Sequence, residues 1–203
     1  MNCLIPGNHI EWGGWLWCEP MTAATDGLLT VQCLMLAMAH RGAARGFFAL
    51  SGVAFASGGL RHLLAGELPG LIPIFSRISN VTNAVALTCL LLALPALWSP
   101  RWRRPAWGLA AVFVLAHLLS GHIVLPVLHT VIVFCGSLVQ VAVKKSWQNH
   151  RWFGLGFALS LAAGAIFATR LTPAFFFNHN DLAHVVLLGA HAALHRQLMS
   201  SAR

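Results

Sequence analysis

Residues 152–169 read WFGLGFALSLAAGAIFAT, an apolar run without a single charged side chain. A helix needs about 20 mostly apolar residues to cross the hydrocarbon core of a bilayer, so this run has the length and composition of a membrane span. The whole chain has the same character, because 58% of its 203 residues are hydrophobic and only 9% are charged. Soluble domains carry roughly 25% charged residues. The composition therefore predicts an integral membrane protein and excludes a separate soluble catalytic domain.

Six further stretches share this composition. The predicted spans, found with windows of about 19 residues, are residues 21–40, 46–64, 72–98, 106–119, 122–143, 152–171 and 176–199. Lipid offers no hydrogen-bond partner to a free backbone group, and the runs are too long and too uniformly apolar for barrel strands. The sequence thus predicts an all-α fold, a seven-transmembrane helix bundle over residues 21–199. Residues 1–20 are predicted to be an extracytoplasmic, interfacial segment, since they contain a cluster of tryptophans.

The basic residues predict the orientation of the bundle. Ten of the 13 Lys and Arg residues follow spans one, three, five and seven, whereas Arg61, Arg77 and Arg170 fall on the other face. By the positive-inside rule the C-terminus lies in the cytoplasm and the N-terminus outside, as in a bacterial inner membrane protein. Because topology accounts for the net charge of +8, we expect membrane lipids as partners and no nucleic acid.

The five cysteines have neither the spacing of a disulfide framework nor that of a zinc ribbon. Cys33, Cys89 and Cys135 fall inside apolar runs and are predicted to be small core residues. A disulfide between Cys3 and Cys18 is possible if the N-terminus lies in an oxidising compartment.

Ionisable side chains inside a membrane are costly and usually mark function. In the predicted topology most of them fall in the outer half of the bundle: Glu19, Asp26, His62, Glu67, Arg77, His122, His179, Asp181 and His184. The densest segment opens span seven, where Asp181 and His184 share one helix face. This spacing can place a carboxylate and an imidazole on one metal or one substrate. Capping of the helix start is the alternative for Asn178 and Asn180.

His62 lies near the outer end of span two, at the predicted depth of His184, and the small residues 57–59 before it allow close helix approach. A third ligand would complete a tetrahedral zinc site with an open position for water. His179 and His122 are candidates for it. Asp181 is a candidate too, either as an oxygen ligand or as the partner that orients a ligating imidazole.

Other polar residues have competing interpretations. His191 and His195 form an HxxxH pair near the predicted cytoplasmic end, where snorkelling polar side chains are common. Arg77 is predicted either to pair with Glu67 or Asp26 or to anchor an anionic headgroup. Asp26 is the acid most clearly within a span, so we expect it to be paired.

Seven spans, a histidine near the end of the second and a polar histidine motif at the start of the last resemble the superfamily that joins alkaline ceramidases with progestin and adipoQ receptors, often called CREST. The family's HxxxH corresponds here to Asn180–His184, with asparagine in place of the first histidine. Residues 17–19, Trp-Cys-Glu, are similar to a tripeptide near the ceramidase N-terminus. The family's Ser-x3-His becomes Ser57-x4-His62, and the early third span has no aspartate.

The resemblance implies zinc-dependent hydrolysis of a lipid amide or ester by a metal-activated water. It implies that His62 and His184 bind the metal, with His179 or Asp181 replacing the missing ligand. Asp181 or Asp26 would accept the proton, and Ser57 matches the family's serine. The alternative is a non-enzymatic seven-helix receptor or proton-coupled transporter built on the same cluster. A structural scaffold is a third class.

Overall fold

The structure, a computed structural model, describes residues 9–94, 98, 100–120, 124–173 and 177–201. This part of the chain contains seven α-helices, one for each predicted span: α1 Pro20–Ala39, α2 Gly42–Leu64, α3 Ile72–Leu92, α4 Arg103–Ser120, α5 Val124–Val143, α6 Arg151–Thr169 and α7 His179–Ser201. The predicted all-α fold is confirmed. Helix α3 ends at Leu92, six residues before the end of the predicted span.

The helices have the surface of a membrane protein. Within the described residues, four segments are long and apolar enough to cross a bilayer, namely Pro20–Ala39, Gly42–Leu64, Pro69–Leu92 and Gln148–Thr169. Large apolar side chains also lie on the outside, and Met38 and Leu119 are 77% and 80% exposed. Such exposure in a soluble monomer would favour aggregation, whereas lipid covers it without cost.

A β-hairpin that was not expected from the sequence precedes the helices. Strands β1 His9–Trp12 and β2 Trp15–Cys18 pair antiparallel, with Trp12 opposite Trp15. Gly13 and Gly14 form the turn with φ values of 61° and 79°, which a glycine adopts without strain. The hairpin sits on the end of α2, because the Leu16 N–H donates to Glu67 Oε1 at 2.6 Å.

Helices α1 and α7, the first and the last, pack side by side and point the same way. Helix α1 packs on α2, α2 on α3 and α6 on α7, and α1 also contacts α7. Four hydrogen bonds between the α1 and α7 regions follow the same order along both: Thr22 to Asn178, Thr25 to His184, Gln32 to Leu188, and His40 to His195. Since both residue numbers rise together, the two helices are parallel.

The main hydrophobic core occupies the end of the bundle away from the hairpin. It joins the start of α2, the end of α3 and the end of α7 through residues such as Phe48, Leu90 and Leu194. Cys33 and Cys89 are buried as predicted. Cys135 is exposed, so its assignment to the core is wrong: it lies on the outer face of α5. Cys18 is disulfide-bonded, and Cys3 lies outside the described residues.

Helices α6 and α7 approach closely at Gly156, where an added Cβ would lie 2.9 Å from Leu194 Cγ and 3.2 Å from the Ala190 carbonyl oxygen. We therefore expect Gly156→Ala to force the helices apart and lower stability by about 1–3 kcal/mol. Gly154→Ala is the matched control on the same helix, since nothing lies within 4 Å of its added Cβ. Thermal unfolding in detergent should place Gly156→Ala below the wild type. A midpoint equal to that of Gly154→Ala would contradict this packing.

Candidate functional site

Glu19, His62 and Arg61 form a chain of hydrogen bonds at the hairpin end of the bundle. Glu19 follows β2 directly, takes a left-handed φ of 46° and is fully buried. Its Oε2 lies 2.9 Å from His62 Nδ1, and Arg61 Nη2 lies 2.8 Å from His62 Nε2. A guanidinium only donates, so Nε2 accepts and Nδ1 carries the proton that His62 donates to Glu19. His62 is therefore a neutral imidazole between a cation and a carboxylate.

His184 contacts two neighbouring residues of α1. The Thr25 hydroxyl donates to the Thr22 carbonyl oxygen at 3.0 Å, so its oxygen accepts from His184 Nδ1 at 3.1 Å. The other ring nitrogen, Nε2, faces Asp26 Oδ1 at 3.5 Å. The expectation that Asp26 is paired is confirmed. With Nδ1 protonated, Nε2 and the carboxylate face each other as two acceptors, so the pair holds a proton or another cation between them.

Two glycines of α2, Gly58 and Gly59, pack directly against the Asp26 side chain. An added Cβ at Gly58 would lie 3.2 Å from Asp26 Oδ2, and one at Gly59 would lie 3.1 Å from Asp26 Cβ. The small residues 57–59 therefore allow close helix approach, as the sequence predicts. His62, one turn further along α2, reaches Glu19, the residue that precedes α1.

The start of α7 is a capping box joined to α1. Asn178 Oδ1 accepts from the backbone N–H groups of Asn180 and Asp181 at 2.7 and 3.4 Å, and Asp181 Oδ2 accepts from the Asn178 N–H at 2.7 Å. Asn178 Nδ2 donates to Thr22 Oγ1 at 3.1 Å. Capping therefore accounts for Asn178 and for one oxygen of Asp181. It leaves the second oxygen, Asp181 Oδ1, buried and unpartnered among the described residues.

These side chains form one site, which we call the outer polar cluster: Glu19, Asp26, Arg61, His62, Asp181 and His184. Asp181 lies within electrostatic reach of Glu19, His62 and Asp26, and His184 within reach of His62 and Arg61. Two carboxylate oxygens, Glu19 Oε1 and Asp181 Oδ1, are buried without a hydrogen-bond partner in the described part of the chain. No group of three or more His, Cys, Asp or Glu side chains there has the arrangement of a metal site.

Other predicted site residues lie elsewhere or make no bond to the cluster. The ring of His179 packs on Phe167 of α6 at 5.8 Å, and no described hydrogen bond joins it to the cluster. Ser57 is buried but forms no described hydrogen bond with the cluster residues. His122 lies outside the described residues.

The predicted ion pair of Arg77 with Glu67 or Asp26 is wrong. Arg77 is exposed, Asp26 faces His184, and Glu67 accepts from the Leu16 N–H.

Three contributors, Arg61, Thr22 and Thr25, had no predicted role in the site. Arg61 was counted only as a topological charge, although it precedes His62 directly. Thr22 and Thr25 lie three residues apart in the first turns of α1, directly after Glu19, which places the two threonines on one face of the helix. This spacing is the signal that would have identified the threonines.

Removal of the cap should loosen the contact between α7 and α1. We expect Asn178→Ala to cost about 1 kcal/mol or more, because it removes the acceptor for the Asn180 N–H and the donor to Thr22. Asn178→Ser keeps a capping oxygen and should recover most of the loss. Thermal unfolding of both variants in detergent measures the difference. If Asn178→Ala unfolds at the wild-type midpoint, the capping box does not stabilise the site.

Comparison with known proteins places this arrangement in a family. A model of the family of unknown function DUF6962 matches residues 21–201, from the second residue of α1 to the last of α7. No curated protein and no solved structure matches the chain. The match covers most of the sequence and all seven helices, so the chain belongs to the DUF6962 family.

Proposed function

We propose that the chain spans the membrane seven times, with its N-terminus outside and its C-terminus in the cytoplasm of a bacterial cell. The parallel contact between α1 and α7 supports an odd number of crossings, since the first and last spans then point the same way. The excess of basic residues at the end of α7 and in the connections on that side supports the orientation. In this arrangement the outer polar cluster faces the extracytoplasmic side.

We propose further that this cluster is the site of a zinc-dependent intramembrane hydrolase that acts on a lipid amide or ester. One observation carries the proposal: His62 of α2 and His184 of α7 both use Nδ1 to bind a side chain at the start of α1, either Glu19 or Thr25. A metal-ligating histidine typically has its other ring nitrogen held in this way, which fixes the tautomer and the ring orientation. The resemblance to the CREST superfamily supports the same two residues.

The donor set fits zinc in chemical type. Nε2 of His62, Nε2 of His184 and the unpartnered Asp181 Oδ1 are nitrogen and oxygen donors of the kind that zinc accepts. Asp181 would then take the place of the third histidine. The position of Arg61 is unfavourable for metal binding at His62, because its guanidinium donates to His62 Nε2. Metal binding at His62 therefore requires Arg61 to withdraw.

Residues of the chain would orient the metal ligands and accept the proton. Bound zinc supplies a Lewis acid and a water of lowered pKa. Glu19 and Thr25 hold the two imidazoles in place. Asp26, beside His184, accepts a proton at Oδ1. Ser57, buried one residue before the glycines that pack on Asp26, is the residue that the resemblance matches to the family's serine. A lipid would enter sideways between helices.

Metal content tests the proposal directly. Purified wild-type protein should contain about one zinc per chain, and His62→Ala and His184→Ala should each lose it. Both should also lose hydrolysis of a nitrophenyl fatty ester and a fatty acyl amide by at least about 100-fold, the upper end of what outer partners of a ligand cost. His129→Ala, a buried histidine of α5, is the control. A metal-free wild-type protein that hydrolyses neither probe would contradict the proposed hydrolase function.

A metal-free receptor or proton-coupled transporter is the second candidate. The observation that favours it is the Arg61 contact, because a fixed cation already occupies His62 Nε2. In that case the proton held between His184 and Asp26 is the mobile species.

Arg61 separates the two candidates. If it competes with zinc, Arg61→Ala should lower the zinc Kd at least about tenfold, which is about 1.4 kcal/mol, because a guanidinium repels a nearby dication. Arg77→Ala removes an exposed arginine and should leave the Kd unchanged. Titration of the apo protein with zinc measures both. An unchanged or weaker affinity in Arg61→Ala means that Arg61 does not occupy a metal position.

A further inference from the structure

Two arginines from different helices share one tryptophan at the end of the bundle away from the hairpin. Arg151 and Trp152 begin α6, and Arg196 lies near the end of α7. The guanidinium carbon of Arg151 lies 5.4 Å from the Trp152 ring centroid, and that of Arg196 lies 4.8 Å from it. Both distances are within the range of a cation–π contact. One partly buried indole therefore brings two positive charges within about 10 Å of each other.

A buried glutamine fixes this arrangement. Gln197 follows Arg196 directly, and only 1% of it is exposed. Its Oε1 accepts from the Phe153 N–H at 3.2 Å, and its Nε2 donates to the Asn149 carbonyl oxygen at 3.1 Å. These two bonds attach the backbone on both sides of Arg151 to the end of α7. The two arginines are therefore neighbours because of the fold, since their backbones are joined beside them.

The two charges have no carboxylate to balance them. Neither Arg151 nor Arg196 forms an ion pair in the described part of the chain. The connection between α5 and α6 adds Lys144 and Lys145 to the same end. All five acidic residues of the chain belong to the hairpin or to the helix ends beside it, namely Glu11, Glu19, Asp26, Glu67 and Asp181. Because like charges repel, an anion that contacts both guanidiniums would be attracted strongly.

The surroundings of the arginines are apolar and face lipid. Leu155 lies one turn after Arg151 on the same face of α6, and its side chain is exposed. Ala192 lies one turn before Arg196 on α7 and is exposed too. Trp147, in the connection before α6, is 51% exposed, and such tryptophans lie at the level of the lipid headgroups. Each cation therefore lies beside an apolar surface that acyl chains can cover.

We propose that Arg151, Arg196 and Trp152 form a binding site for the headgroup of an anionic phospholipid. Guanidinium groups bind phosphate oxygens through charge-assisted and often bidentate hydrogen bonds. Basic pockets between transmembrane helices bind anionic headgroups in this way. The phosphate bridges the two guanidiniums, and the acyl chains cover the exposed apolar residues of α6 and α7. A free phosphate ion would use the first contact but not the second.

The lipid site lies at the opposite end of the helices from the outer polar cluster. In the proposed orientation it faces the cytoplasmic leaflet. It uses no residue of the cluster and requires no metal, so its failure would leave the proposed hydrolase untested and unchanged.

Lipid titration of the full chain in a neutral detergent tests the site, with native mass spectrometry to count the bound lipids. Dioleoyl phosphatidylglycerol is the anionic probe. Dioleoyl phosphatidylcholine is its match, because it has the same acyl chains and a phosphate but no net charge. Wild-type protein should bind the anionic lipid at least about tenfold more tightly, since each basic residue near an anionic lipid contributes about fivefold in affinity.

The informative variants remove the guanidiniums. Arg151→Gln and Arg196→Gln should each weaken phosphatidylglycerol binding about fivefold, and the double variant about 25-fold. Both side chains are exposed, so these variants should fold like the wild type. Arg45→Gln is the matched control, because it removes an exposed arginine at the start of α2, at the same end of the bundle. It should bind like the wild type.

Trp152→Leu separates a built site from a general attraction to positive charge. It keeps every charge but removes the ring that both guanidiniums contact, so phosphatidylglycerol binding should weaken at least about threefold. Equal wild-type affinity for the two lipids would overturn the site, and so would equal losses in Arg45→Gln and the double variant. Displacement of phosphatidylglycerol by millimolar inorganic phosphate at constant ionic strength would assign the arginines to free phosphate and overturn the lipid.

Discussion

The burial of Asp26 is the constraint on which the arrangement of the hairpin end of the bundle depends. A carboxylate in an apolar bundle costs several kcal/mol unless a cation or a proton accompanies it. Asp26 meets that need with His184 of α7, 3.5 Å away, while Gly58 and Gly59 of α2 pack against its other side. One acid thus contacts both neighbouring helices, α2 through its glycines and α7 through His184. The Asn178 cap and the Glu19–His62 bond hold the same three helices together at the same level.

The two ends of the bundle differ in composition: one contains the apolar core and the other contains the buried polar residues. The apolar core around Phe48, Leu90 and Leu194 holds the helices together at the end away from the hairpin. The hairpin end instead contains buried polar groups, some without partners among the described residues. An unsatisfied buried oxygen costs about 1–3 kcal/mol, so the hairpin end is the less stable one. A ligand or cation that binds there would recover part of that cost, which makes the cluster the natural place for function.

The sequence predicts the helices well because their signal is composition, which survives in any packing arrangement. It does not predict the side-chain partners, because these depend on helix rotation. His179 and His184 lie in one segment but are five residues apart, about 140° around the helix, so His179 packs on α6 while His184 meets α1. The hairpin was missed for a different reason: the tryptophans suggested an interfacial segment, although Gly13-Gly14 between two short runs is a turn signal. Arg61 was read as a topology marker, and its contact with His62 appears only once the side chain is placed.

The charge balance of the outer polar cluster links its two candidate functions. Glu19, Asp26 and Asp181 are buried carboxylates, and Arg61 is the one guanidinium among the residues that define the cluster. His62 is neutral, because it accepts from Arg61, so two negative charges remain to be balanced. A zinc ion would balance both at once, and protons would balance them one at a time. Low dielectric surroundings penalise any unbalanced charge, so an apo cluster must take up protons that a metal would displace. Both candidate functions therefore depend on the same excess of negative charge, and a metal would reach His62 Nε2 only if Arg61 moved away from it.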